Sequence, residues 1–222
     1  MSDEVDLEVV KGRAVRGMVT LTGGGVILTL ISGIGVLLLT TFLGPKEFGL
    51  YGLIGSIVVI LGYFSDIGLA ASLIQKKENP TVDDLRTTFT IQQGLVLLLV
   101  TATVILSPFI KNYYNLGVSE YWLLMALLAS FVLSSLKSIP SVMLERELRF
   151  DKIMIVRIVE ALMFNVVAVT MAVSGFGVAS YIPAVLGQGI IGLILLYIFK
   201  PWSIGLAFSK DSLKKLLKFG LP

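Results

Sequence analysis

The chain has 222 residues, of which 55% are hydrophobic and 15% charged, with a net charge of +3 and neither cysteine nor histidine. A soluble domain of this length is about 45–50% apolar and about 25% charged, so this balance, with a mean hydropathy of +0.91, points to a membrane protein. The missing residue types exclude disulfides, Cys/His metal sites, thiol nucleophiles and His-based acid–base chemistry, and no GxxxxGK[ST] is present to cradle nucleotide phosphates.

Residues 1–17 open acidic and polar, end in the basic "KGRAVRG", and read as a cytoplasmic N-terminal segment. Met18 to Leu43 is then apolar for longer than a signal-peptide core, with no A-x-A-like cleavage site, and is expected to span the membrane. Its "GGG" at 23–25, with Gly33 and Gly35, predicts close backbone approach or a bend. Five further spans are expected at about 49–72, 87–110, 120–144, 153–174 and 178–199. Before the third, "PTVDDLR" is a start signal in which Thr81 or Asp83 caps and Asp84 sits in the first turn, a better use of the two carboxylates than a metal site. In the fourth, Pro140 removes a backbone donor and is expected to bend the helix. Residues 200–222 place Lys214, Lys215 and Lys218 among leucines and Phe219, as a basic amphipathic linker on the cytoplasmic surface.

Orientation follows from the basic residues. Lys11, Arg13, Arg16, Lys76, Lys77, Arg86, Arg146, Arg149, Lys152, Lys200, Lys210, Lys214, Lys215 and Lys218 fall on one side, and only Lys46 and Lys111 on the other. The positive-inside rule then places both termini in the cytoplasm. The sequence therefore predicts an all-α polytopic membrane protein with six helices spanning 18–199.

Several stretches resemble the polysaccharide transporter family: "LGPKEFGLYGL", "SDIGLAASLIQKKE", "DDLRTTFTIQ", "SIPSVMLERELRFDKI", "GFGVASYIPAVLGQ" and "LLKFGLP". Its members are oligosaccharide flippases of the multidrug/oligosaccharidyl-lipid/polysaccharide exporter superfamily, which export lipid-linked sugar units for O-antigen and exopolysaccharide. The resemblance runs over nearly the whole chain in order. It implies a fold of two helical lobes facing a central cavity, of which this chain resembles the first, with "KFGLP" where the second begins. The chain is then either truncated or paired with a second polypeptide or a copy of itself. The resemblance also implies a lipid-linked oligosaccharide with an anionic head as partner, beside membrane lipids; no cofactor, metal or nucleic acid is expected.

Moving such a head group across about 30 Å of hydrocarbon needs a polar cavity with fixed positive charge, so ionisable residues inside the spans are the candidates. They are Asp66, Lys137, Arg157 and Glu160. Lys137 lies eight residues before Glu145, about 12 Å deep. Side chains lean toward a helix N-terminus, which turns Lys137 away from the nearer, cytoplasmic surface. Ser130, Ser134, Lys137 and Ser141 share one face, suited either to lining a cavity or to tight packing. Arg157 leans back toward the cytoplasm and is expected to snorkel. Glu160 matches the depth of Lys137 from the other arm of a hairpin, so the two are expected to pair, with Arg157 as the competing partner. Asp66 reads as a helix-terminal residue. Arg16 and Arg86, opening the first and third helices, are candidates to collect an anionic head group, though positive-inside topology alone accounts for them. Gln92, Gln93, Asn165 and Gln188 suit either cavity lining or interhelical bonding.

Three functions compete: a flippase lobe, a multidrug or small-molecule exporter of the same superfamily, and a non-transporting scaffold. Cationic drugs would call for acidic and aromatic groups, whereas the deepest charge here is a lysine. An enzyme is not expected, since no paired carboxylates in a shared loop, metal set or nucleophile constellation stands out.

Overall fold

The computed structural model describes residues 2–65, 68–76 and 78–209, and the side chains of residue 12 and of 17–65, 68–76 and 78–209. Asp66, Lys77 and the amphipathic stretch 210–222 lie outside the described residues. The described residues form eight α-helices in chain order: α1 (Ser2–Phe42), α2 (Pro45–Ser65), α3 (Leu69–Gln75), α4 (Val82–Tyr113), α5 (Val118–Leu136), α6 (Ser138–Arg146), α7 (Phe150–Val173) and α8 (Tyr181–Phe199), the last entered through a 3-10 turn at Gly177–Ser180. Among the described residues there is no strand. Among the described residues six helical segments are long and apolar enough to cross a membrane: Gly17–Phe42, Pro45–Ser65, Val82–Tyr113, Val118–Leu136, Phe150–Val173 and Gly177–Phe199.

The boundaries depart from the sequence reading in three places. Helix α1 begins at Ser2, so the polar N-terminal segment continues the first span as one helix of 41 residues, about 60 Å long at 1.5 Å per residue. The second span stops at Ser65, not near 72, and Gly68 at φ 79° precedes a separate short helix. That left-handed backbone is open to glycine at no steric cost and redirects the chain. The fourth span is two helices, α5 and α6, which meet at Lys137. The remaining expected spans are present with their ends shifted by a few residues, and "PTVDDLR" forms a full capping box between Thr81 and Asp84. Asp84 also pairs with Lys76 at 2.6 Å.

The glycines of α1 do not break it; one uninterrupted helix runs through 23–35. Gly24 and Gly35 instead let α7 approach, Gly24 against Met154 and Gly35 against the Asn165 amide. They lie 11 residues apart, three turns, and so share one face. Helix α1 rests mainly on α7, α7 on α8, and α8 on α5, which in turn packs on α2 and α4. A main core of Leu39, Ile54, Leu123, Leu124, Leu128, Ala168 and Ala184 fills the space between these layers, with Tyr181 stacked on Tyr51 at 4.1 Å. Two smaller cores flank the α5–α6 junction: Leu69, Leu73, Phe89, Ile139 and Val142 on one side, and Leu144, Ile153, Val156 and Leu196 on the other. After α8 the chain runs non-helical over 201–209 along α4, where Ala207 N–H donates to Thr90 Oγ1 and Ser209 N–H to Thr87 Oγ1, both at 3.1 Å. The start of the expected linker is therefore a strap docked on the lobe.

Candidate functional site

The break at Lys137 has a local cause three residues downstream. Pro140 has no N–H, so the carbonyl of Leu136, four residues earlier, loses its helical partner. Lys137 N–H instead bonds back to Ser134 O at 3.2 Å, and α6 starts at Ser138 with Pro140 in its first turn. The freed Leu136 carbonyl accepts from the Tyr197 hydroxyl of α8 at 3.3 Å, and that hydroxyl accepts from Trp202 Nε1 at 3.1 Å. The bend thus falls at Lys137 rather than at Pro140, because a proline acts on the carbonyl one turn before it. Pro108 in α4 shows the contrast: Ser107 Oγ donates at 2.7 Å to Val104, the carbonyl that Pro108 deprives, and the helix continues.

Each neighbouring helix meets this junction with a polar group. Helix α4 brings Gln93, whose Oε1 accepts from Ser135 Oγ at 3.0 Å inside the core. Helix α8 brings Tyr197. Helix α7 brings Glu160, and Lys137 Nζ donates to its Oε1. The pairing expected from equal depth on the two arms is present, with each side chain 14% exposed. Breaking the helix here turns a lysine in a membrane-length segment toward a partner, where an unpaired one costs about 2.5–3.5 kcal/mol.

Around the pair lies a cavity of about 240 Å³ lined by Ser134, Lys137, Ser138, Ser141, Ile153, Val156, Arg157, Glu160 and Leu196. Arg157 is exposed on its rim, and among the described residues it makes no ion pair. It neither pairs with Glu160 nor stands apart from the site; Arg157 and Lys137 line one cavity whose lining holds a single carboxylate residue, Glu160.

The serine stripe divides. Ser134 and Ser141 line the cavity, and Ser141 Oγ is 3.5 Å from Glu145 Oε1. Ser130 faces α8 and donates to Val185 O at 3.2 Å, a packing contact. Ser138 was missed by the sequence reading: its Oγ is buried in the cavity wall with no hydrogen-bond partner among the described residues. Its signal was its place in the first turn after the break, which is visible only once the break is located.

The other candidates are elsewhere. Arg86 does not line the cavity; its guanidinium lies under the strap against Gly205, with Nε buried and unpaired among the described residues. The side chain of Arg16 lies outside the described residues, as does Asp66. Asn165 lines a second, apolar groove of about 380 Å³ between α1 and α7, with Ile31, Ile34, Leu38, Leu162 and Val166. Gln92 Oε1 is buried without a partner among the described residues.

The Tyr197 hydroxyl hydrogen-bonds both the broken turn and the strap. Tyr197→Phe is expected to destabilise the purified protein by about 1–2 kcal/mol, since it leaves a carbonyl and an indole N–H unpaired. Thermal unfolding in detergent checks this, and an unchanged midpoint would show that water replaces the hydroxyl.

Six membrane-length helices among the described residues, with a charged cavity between α5, α6, α7 and α8, define a multi-pass helical membrane protein. The chain belongs to the polysaccharide biosynthesis protein family, whose model matches residues 38–222. No curated protein and no solved structure matched it.

Proposed function

We propose that the chain is the first lobe of a transporter that flips lipid-linked oligosaccharide units across the cytoplasmic membrane for polysaccharide or lipopolysaccharide synthesis. The observation that carries this reading is the cavity in which Lys137 and Arg157 face one carboxylate, Glu160, within membrane-length helices. Intramembrane charges of this kind mark substrate pathways, and two cations against one carboxylate favour an anionic head group over a cationic drug. Membership of a polysaccharide biosynthesis family supports the sugar cargo.

In this reading both termini face the cytoplasm, and Arg16 and Arg86 stand at the face where the head group arrives. The lobe works against a second lobe, supplied by another segment, another polypeptide or a second copy, and the two rock in alternating access around the bound head group. The α5–α6 junction places the cationic group where two helix halves meet, as discontinuous helices do in transporters that bind substrate at the midplane. Deleting the gene is expected to abolish surface polymer and to leave its lipid-linked unit accumulating in the cytoplasmic leaflet. Normal surface polymer with no accumulation would refute the assignment.

A further inference from the structure

Gly192 is buried in the middle of α8. The three heavy atoms nearest to where its side chain would stand are Oε1, Cδ and Cγ of Glu160, and a methyl group placed there would overlap the carboxylate. Two other glycines of α8 meet different neighbours. Gly187 faces the tip of Met163, and Gly189 faces Leu133 and Ser130, ordinary helix packing of small residues against larger ones. Gly192 alone among the three makes room for a charge.

We infer that Gly192 is a positioning residue of the cavity: the space left by its missing side chain is the seat that holds the Glu160 carboxylate against Lys137. The inference rests on reading the cavity as an anion site, and adds what sets the charge of that site. With the carboxylate seated, Lys137 is paired and Arg157 is the cation left to the cavity. With the seat filled, the carboxylate leaves the ammonium and both cations face the cavity. The group that must yield is the far end of a flexible side chain, so filling the seat changes the charge of the site without moving the backbone of α7 or α8. Gly192 thus determines how strongly an incoming anion has to compete with Glu160 for Lys137.

The test uses the purified full chain in nanodiscs treated with acetic anhydride, with the acetylation rate at Lys137 followed by mass spectrometry. Gly192→Ala is expected to be acetylated at Lys137 several-fold faster than wild type, as fast as Glu160→Gln, with no further gain when the two are combined. Lys111, which lies over the Tyr121 ring, serves as a control whose rate stays constant. A wild-type rate in Gly192→Ala, or a gain that adds to that of Glu160→Gln, would overturn the inference. If Gly192→Ala does not fold, Gly192→Ala/Glu160→Ala decides. Recovery of folding sustains the seat, and failure of both shows that the backbones themselves need the gap. Inorganic pyrophosphate added to the same samples is expected to slow Lys137 acetylation. Loss of that protection with the Gly192 effect intact would refute the anion reading and leave the seat standing.

Discussion

Lys137→Ala is expected to lower the stability of the purified protein by about 3 kcal/mol, because truncating one member of a largely buried ion pair strands the other as an uncompensated charge. With both side chains 14% exposed, neither can be rehydrated without rearrangement. Glu160→Ala is expected to cost a similar amount, for it strands the ammonium at the broken turn. The exchange Lys137→Glu with Glu160→Lys is expected to regain about 0.5–3 kcal/mol relative to the sum of its own singles, Lys137→Glu and Glu160→Lys, the range of coupling found for groups in contact. Denaturation of the four proteins in one detergent closes the cycle. A double variant no better than the summed singles would show that the two charges do not interact.

The second large effect is expected at Arg146, in the last turn of α6. Its Nη1 donates to the carbonyls of Leu73 at 2.5 Å, Ile74 at 3.1 Å and Lys76 at 2.8 Å, and its Nη2 to Glu78 at 3.1 Å. One guanidinium thereby caps the C-terminus of α3 and fastens the connection to α4. Such orphan carbonyls at a helix end need partners, and hydrogen bonds from a charged donor contribute about 1.5–3 kcal/mol each before non-additivity. Arg146→Ala is expected to destabilise by about 3 kcal/mol and to raise hydrogen exchange selectively over 69–81. Arg146→Lys should recover only a minor part, because an ammonium cannot present the planar fork that reaches four carbonyls. Exchange that rises evenly through all helices would contradict this local role.

What could be read from the sequence follows from how local each signal is. The six spans depend on runs of apolar residues and were legible. The capping box before α4 depends on four consecutive positions and was legible too. The Lys137–Glu160 pair was legible because a hairpin converts sequence distance into depth: both residues lie about eight positions from one short connection. The helix break was visible as Pro140 but assigned to the wrong residue, since the lost donor leaves the orphan at Leu136. Arg146 counted only as a cytoplasmic charge, because the carbonyls it serves are some 70 residues away along the chain. Tyr197 and Gly192 were invisible for the same reason. Each acts through an atom on another helix, and neither an aromatic near a helix end nor a glycine in an apolar span carries a mark of its partner. Arg157 differed again: read from helix direction as a residue that snorkels to the near surface, it lines the same cavity as Lys137.

The central claim is that the cavity beside the α5–α6 junction takes an anionic lipid-linked head group on Lys137 and Arg157. Its most direct test is titration of the purified chain in nanodiscs with a short-chain polyprenyl-pyrophosphate sugar, read by native mass spectrometry. The account predicts saturable binding that weakens by at least about tenfold, or 1.4 kcal/mol, in Lys137→Gln/Arg157→Gln, and that is unchanged in Lys111→Gln. Equal affinity in all three proteins would contradict it.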